Sequence, residues 1–106
     1  MIVSDEDVQK AFDFLKSSEL EHAQAKANLE GIKKHEKALI ATLKLRSSEK
    51  TSASKEDEAY ASPDYDEWEA GLKVAVEIFT LLENKRDRAN TAIDLYRTCS
   101  ANERRL

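Results

Sequence analysis

Ser62-Pro63-Asp64-Tyr65-Asp66-Glu67-Trp68 is the sharpest boundary in the chain. Serine is a strong N-cap because its hydroxyl accepts from an amide that the first helical turn leaves unpaired. Proline fits the next position, since its missing N–H is one of those unpaired amides. Asp64 and Asp66 then suit the positive end of the helix dipole. Beyond this start, Tyr65, Trp68, Leu72, Ala75, Phe79, Leu82, Arg86, Ala89, Ile93, Tyr96 and Ser100 recur at alternating three- and four-residue spacing. That is the heptad rhythm of a packing seam. It predicts one long helix from about Pro63 to Ala101.

Upstream of Pro63 there is no other proline. Ser4-Asp5-Glu6-Asp7 opens a helix, with Ser4 as N-cap and Asp7 three residues on in an acidic variant of the capping box. Val8, Ala11, Leu15, Ala25, Leu29, Ile32, Leu39 and Leu43 follow the same heptad rhythm, with Ser18, His22 and Glu36 at the remaining seam positions. This predicts a single helix from about Asp5 to Arg46, roughly 60 Å long. Residues 47–62 are rich in serine and almost free of apolar side chains, so they read as a polar connection, either a loop or a short helix starting near Ser54.

The composition agrees. A chain of 106 residues is one domain, and two glycines and one proline are too few for the turns of an all-β fold. A 36% charged and 41% hydrophobic mixture with so few breakers is that of long, charge-laced helices. No run approaches the ~18 apolar residues of a membrane span, and the N-terminus carries no signal-peptide pattern. One cysteine makes no internal disulfide, so a reducing cytoplasm is the expected compartment. A net charge of −4 weighs against unspecific coating of DNA.

Charge blocks predict the topology. Residues 1–31 carry three bases and seven acids, and residues 32–50 carry six and two. Residues 51–83 carry two and nine, and residues 84–106 carry six and three. Folding the chain at its middle sets each block against its opposite, so the two helices are expected to form an antiparallel hairpin. A two-helix seam is a thin core, and Phe12, Phe14, Leu20, Ile40, Val76, Ile78, Leu81 and Leu95 lie off it. The expectation is an all-α hairpin that pairs into a homodimeric four-helix bundle. The alternative is a monomer whose middle segment folds back as a third helix.

Little of the sequence carries chemistry. Glu19-Leu20-Glu21-His22 holds a Glu-x-x-His pair, so Glu19 and His22 are weak metal candidates, but the set needs a second pair and further glutamates. The stretch expected opposite them, near Ala89 to Ile93, offers Asn90 and Asp94 and no glutamate. No metal or other cofactor is assigned, and His22 is expected to pair with a carboxylate. Glu36 is expected to meet a lysine or to fix register. Cys99 has no histidine at a defined spacing, and the chain has no phosphate-binding glycine loop or nucleophile elbow, so it reads as a non-enzyme.

Lys33, Lys34, Lys37, Lys44 and Arg46 are candidate phosphate contacts, as are Lys50, Arg97, Arg104 and Arg105. The stronger reading is a solvated or internally paired face, because no aromatic is interleaved with the lysines as single-strand stacking requires. Tyr65 and Trp68 fall on the seam. Tyr60, Asp64, Asp66 and Glu67 form the candidate partner-binding surface, where acidic groups steer a basic protein and the tyrosine anchors it.

Ala59-Tyr60-Ala61-Ser62-Pro63-Asp64-Tyr65, Gly71-Leu72-Lys73-Val74-Ala75-Val76, Tyr96-Arg97-Thr98 and Ala101-Asn102, with Ser4-Asp5-Glu6-Asp7-Val8-Gln9-Lys10-Ala11, resemble a group of small, mostly uncharacterised bacteriophage and prophage helical proteins. Such proteins are commonly encoded among phage recombination and replication genes. Ser62 stands where the group often has histidine, and Tyr96 where a tryptophan is common. The resemblance implies a non-enzymatic, phage-derived accessory protein of the bacterial cytoplasm. Its expected role is to bind a protein partner of phage or host in phage DNA recombination or replication. No catalytic residue carries over. Two alternatives stand beside it: an inhibitor of host nucleic-acid or defence machinery acting through the acidic 51–83 block, and a metal-binding helical bundle.

Overall fold

A computed structural model describes residues 3–105, with the side chain of Arg105 outside the described set. The described chain is all-α: α1 Asp5–Ser17, α2 Glu19–Arg46, α3 Ser52–Tyr60 and α4 Pro63–Arg105. No residue described is in a strand.

The starts of α1, α3 and α4 each have a local cause. The Ser4 hydroxyl accepts from the Asp7 amide at 3.1 Å, and the Ser4 amide donates back to the Asp7 carboxylate at 3.2 Å. The two form the expected reciprocal capping box. The backbone N–H and hydroxyl of Ser4, with lesser help from Lys10, hold the Asp7 carboxyl below its ordinary value of 3.8. Ser62 caps α4 with its hydroxyl on the Asp64 amide at 3.1 Å, and Pro63 is the first helical residue. Thr51 caps α3 through the Ser54 amide at 3.0 Å.

Two boundaries differ from the sequence reading. The expected single helix 5–46 is interrupted at Ser18, which separates α1 from α2. The Phe14 carbonyl there accepts from both the Ser18 hydroxyl at 2.6 Å and the Ser18 amide at 2.9 Å, a serine back-bond of the kind that bends helices. Within residues 47–62 the short-helix alternative holds: α3 starts at Ser52, close to the expected Ser54, and buries Ala59 to 2% exposure. At the far end α4 runs on to Arg105 rather than stopping near Ala101.

The chain divides into two compact units, Met1–Gln24 with Phe79–Leu106, and Ala25–Ile78. In the first, Ala11, Ala89 and Ile93 form the core, with Phe14, Leu15 and Ala92 packed against it. Asp5 meets Tyr96, Ser18 meets Arg86 and His22 meets Glu83, so the paired segments run antiparallel. In the second, Leu29, Ala59 and Ala75 are the buried residues. Ile32 meets Trp68, Glu36 meets Tyr65 and Arg46 meets Asp64, again antiparallel.

The heptad assignment holds at the side chains. Polar Ser18 is buried, and His22, Glu36 and Arg86 are half-buried among the apolar seam residues. The seam is thin, however: no large side chain among the described residues is fully buried.

Candidate functional site

The second unit holds the residues singled out for binding. Tyr60 closes α3, Tyr65 and Trp68 lie in the first turns of α4, and the lysines lie on α2. The three rings form a ladder. Tyr60 meets Tyr65 edge-on at 5.0 Å, and Tyr65 lies 5.3 Å from Trp68 at a 38° tilt. Tyr65 and Trp68 are half-buried, as the heptad required. The Trp68 indole N–H donates to the Ile32 carbonyl at 2.9 Å. The Tyr65 hydroxyl donates to Glu36 at 3.3 Å. Of the two expectations for Glu36, this cross-helix contact is to a phenol rather than to a lysine, and it suits the register-fixing role. Desolvation and the Glu36 carboxylate push the Tyr65 phenol above its ordinary value of 10.0.

Tyr60 remains 45% exposed. It forms one wall of an open groove of about 340 Å³ whose other lining residues are Glu36, Lys37, Ile40, Ala41 and Lys44. The structure thus brings a tyrosine of α3 beside two lysines of α2, which the one-dimensional sequence kept apart.

The remaining candidates divide. Asp64 faces Arg46 at 3.7 Å with both side chains largely exposed, and the pair realises the charge-block complementarity. Asp66 and Glu67 are exposed on α4, and Lys33 and Lys34 are exposed on α2. Among the described residues, Lys33, Lys34, Lys37 and Lys44 enter no ion pair, unlike Arg46. The Arg105 side chain lies outside the described residues.

No matching family model, curated protein or solved structure was found for this chain.

The Glu19–His22 pair belongs to the first unit. His22 pairs with Glu83 and stacks on Phe79 at 5.5 Å. The expected facing stretch, Ala89 to Ile93, was therefore misplaced: His22 meets residues about a heptad or more earlier on α4. Among the described residues, no three His, Cys, Asp or Glu side chains gather as a metal set. No described helix is long and apolar enough to cross a membrane.

One arrangement escaped the sequence reading altogether. Arg86, assigned only a seam position, donates from Nη1 to the Leu15 carbonyl at 2.9 Å and to the Ser18 hydroxyl at 2.7 Å. The signal was a serine and an arginine at heptad positions otherwise filled by apolar residues. Beyond them, Tyr96 reaches the Asp5 carboxylate, and that hydrogen bond with the adjacent charge raises the Tyr96 phenol above 10.0.

Proposed function

We propose that this chain is a non-enzymatic helical adaptor that pairs with a second copy as a four-helix bundle and binds another protein. The observation that carries this is the mismatch between its core and its surface. No large side chain among the described residues is fully buried, yet Phe12, Leu20, Val74, Ile78 and Leu81 are 45–68% exposed. Apolar area of this kind gains about 25 cal/mol per Å² when a partner covers it. The resemblance to phage and prophage proteins supports phage DNA recombination or replication in the bacterial cytoplasm as the process served.

Affinity capture of the tagged chain from phage-infected cells, read by mass spectrometry, tests the reading. Enrichment of a recombination or replication protein is expected. Its absence across repeated captures, with the bait shown to be folded, overturns the process assigned here.

A second reading is an inhibitor that presents acid to the basic channel of host nucleic-acid or defence machinery. Asp66 and Glu67 support it, since both are exposed at the head of α4. Competition between the chain and duplex DNA for the captured protein distinguishes it from the adaptor.

A further inference from the structure

The Tyr60 groove carries an inference about the kind of partner, and it rests on the adaptor reading. Ile40, Ala41 and Tyr60 are among its lining, Lys37 and Lys44 bracket Ile40 and Ala41 along α2, and Glu36 lies next to Lys37. All but Tyr60 come from α2, so their spacing is fixed by the helix. Lys37 and Lys44 are seven residues apart, two turns, or about 10.5 Å along the axis. Ile40 and Ala41 occupy the third and fourth positions between them. This is a basic–apolar–basic pattern in helical register. Neither lysine has a carboxylate partner among the described residues.

We infer that this groove docks an acidic amphipathic helix from another protein, with carboxylates seven residues apart and apolar side chains at the third and fourth positions between them. Its apolar pair covers Ile40, Ala41 and the open side of Tyr60, and its two carboxylates reach Lys37 and Lys44. Matching heptad spacing lets both ends engage together. This is recognition of a helix in a groove, with tyrosine as the anchor.

A second copy of this chain does not supply such a helix. Within its helices, the carboxylates seven apart are Glu6 with Asp13 and Asp87 with Asp94. The residues between them are Gln9 and Lys10, and Asn90 and Thr91, none of them apolar. Single-stranded nucleic acid also fits less well. Tyr60 and the lysines offer stacking and charge, but Glu36 lines the groove and α3 sets Glu56, Asp57 and Glu58 just before Tyr60. A continuous polyanion sets a charge at every step against those carboxylates, whereas a helix with two acids sets only two, each opposite a lysine.

The test uses the full chain and three probes. One is a library of stapled helical peptides with the fixed frame Glu-x-x-Leu-Leu-x-x-Glu. The second replaces both glutamates by lysine, and the third is oligothymidine. Amide resonances of the isotope-labelled chain report the site, and fluorescence anisotropy reports affinity. Members of the acidic frame are expected to shift Ile40, Ala41 and Tyr60. The Lys37→Glu, Lys44→Glu chain is expected to bind them about tenfold more weakly and with less salt dependence. Tyr60→Ala is expected to weaken binding several-fold, with helicity retained in circular dichroism. Should the charge reversal disturb folding, Lys37→Gln, Lys44→Gln gives the same comparison with the loss reduced.

Equal or tighter binding of the lysine frame or of oligothymidine overturns the inference. So does acidic-frame binding that survives the lysine substitutions, or no shift at these three residues at about millimolar peptide. A captured partner that binds without touching these residues overturns the groove and leaves the adaptor reading standing.

Discussion

Arg86 of α4 donates to the Ser18 hydroxyl at 2.7 Å, at the residue where the first helix is interrupted. The same nitrogen reaches the Leu15 carbonyl at 2.9 Å. Ser18 is 3% exposed, so water does not replace the arginine there without rearrangement. Hydrogen bonds to a charged donor contribute about 1.5–3 kcal/mol, and Arg86→Ala is expected to lose an amount in that range. Ser18→Ala is expected to lose less, about 1 kcal/mol, because the carbonyl contact stays. A double-mutant cycle by urea unfolding measures the pair; additive losses would show that the two residues do not act together.

Trp68 and Tyr60 are expected to respond unequally to truncation. The Trp68 ring is half-buried and its N–H is committed to Ile32, so Trp68→Ala is expected to cost about 2–3 kcal/mol of stability. Trp68→Phe isolates the hydrogen bond at about 1 kcal/mol. Tyr60→Ala is expected to cost under about 1 kcal/mol, since much of the ring already faces solvent. Chemical unfolding of the three variants checks the order.

Alkaline pH is expected to weaken the first unit through Tyr96. Its phenol is held above the ordinary value of 10.0, chiefly by its hydrogen bond to Asp5 and that residue's charge. A group raised on folding binds its proton more tightly in the folded chain. The stabilisation is complete below the unfolded pKa and is lost as pH rises through the folded one. A tyrosinate absorbance titration is expected to show Asp5→Asn ionising Tyr96 at lower pH than the parent chain. An unchanged titration would remove the Asp5 contact.

Assembly is expected to follow the exposed apolar residues. Light scattering at high micromolar concentration is expected to report twice the 12.0 kDa chain mass, falling towards that of one chain on dilution. Phe12→Asp and Leu81→Asp each place an unpaired charge in a contact that excludes water, which costs several kcal/mol. Both variants are expected to be monomers with helicity retained. A parent chain that is monomeric throughout would rule out the paired bundle.

The sequence made the seam legible even where its residues are polar. Ser18, His22, Glu36 and Arg86 were placed there by spacing alone, and each is buried or half-buried. Spacing does not specify which residue faces which, because a heptad pattern slid by seven residues still presents the same kind of face. Hence the carboxylate expected for His22 is Glu83, while the stretch expected to face it was Ala89 to Ile93, and the partner of Glu36 is Tyr65 where a lysine or a register-fixing role was expected. At Ser18, where α1 ends, the hydroxyl bonds the local Phe14 carbonyl and also accepts from Arg86, 68 residues on, a partner that no window of neighbouring residues contains. The Tyr60 groove escaped for a similar reason. It forms where α3 meets α2, and α3 was too polar to show as a firm helix.

Alanine fills half of the buried apolar positions, Ala11, Ala59, Ala75 and Ala89, beside Val3, Leu29, Leu82 and Ile93. Methyl groups interlock weakly, so at those alanines the paired helices meet little steric resistance to gliding along their axes. The detents are polar: Arg86 on Ser18 in one unit, and Trp68 on Ile32 with Tyr65 on Glu36 in the other. A chain carrying Arg86→Met, Trp68→Phe and Tyr65→Phe is therefore expected to keep its helical circular dichroism while its amide resonances broaden and multiply, as packing without specific pins loses uniqueness before it loses stability. In this protein the hydrophobic effect holds the helices together, and a handful of hydrogen bonds decides where along one another they stop.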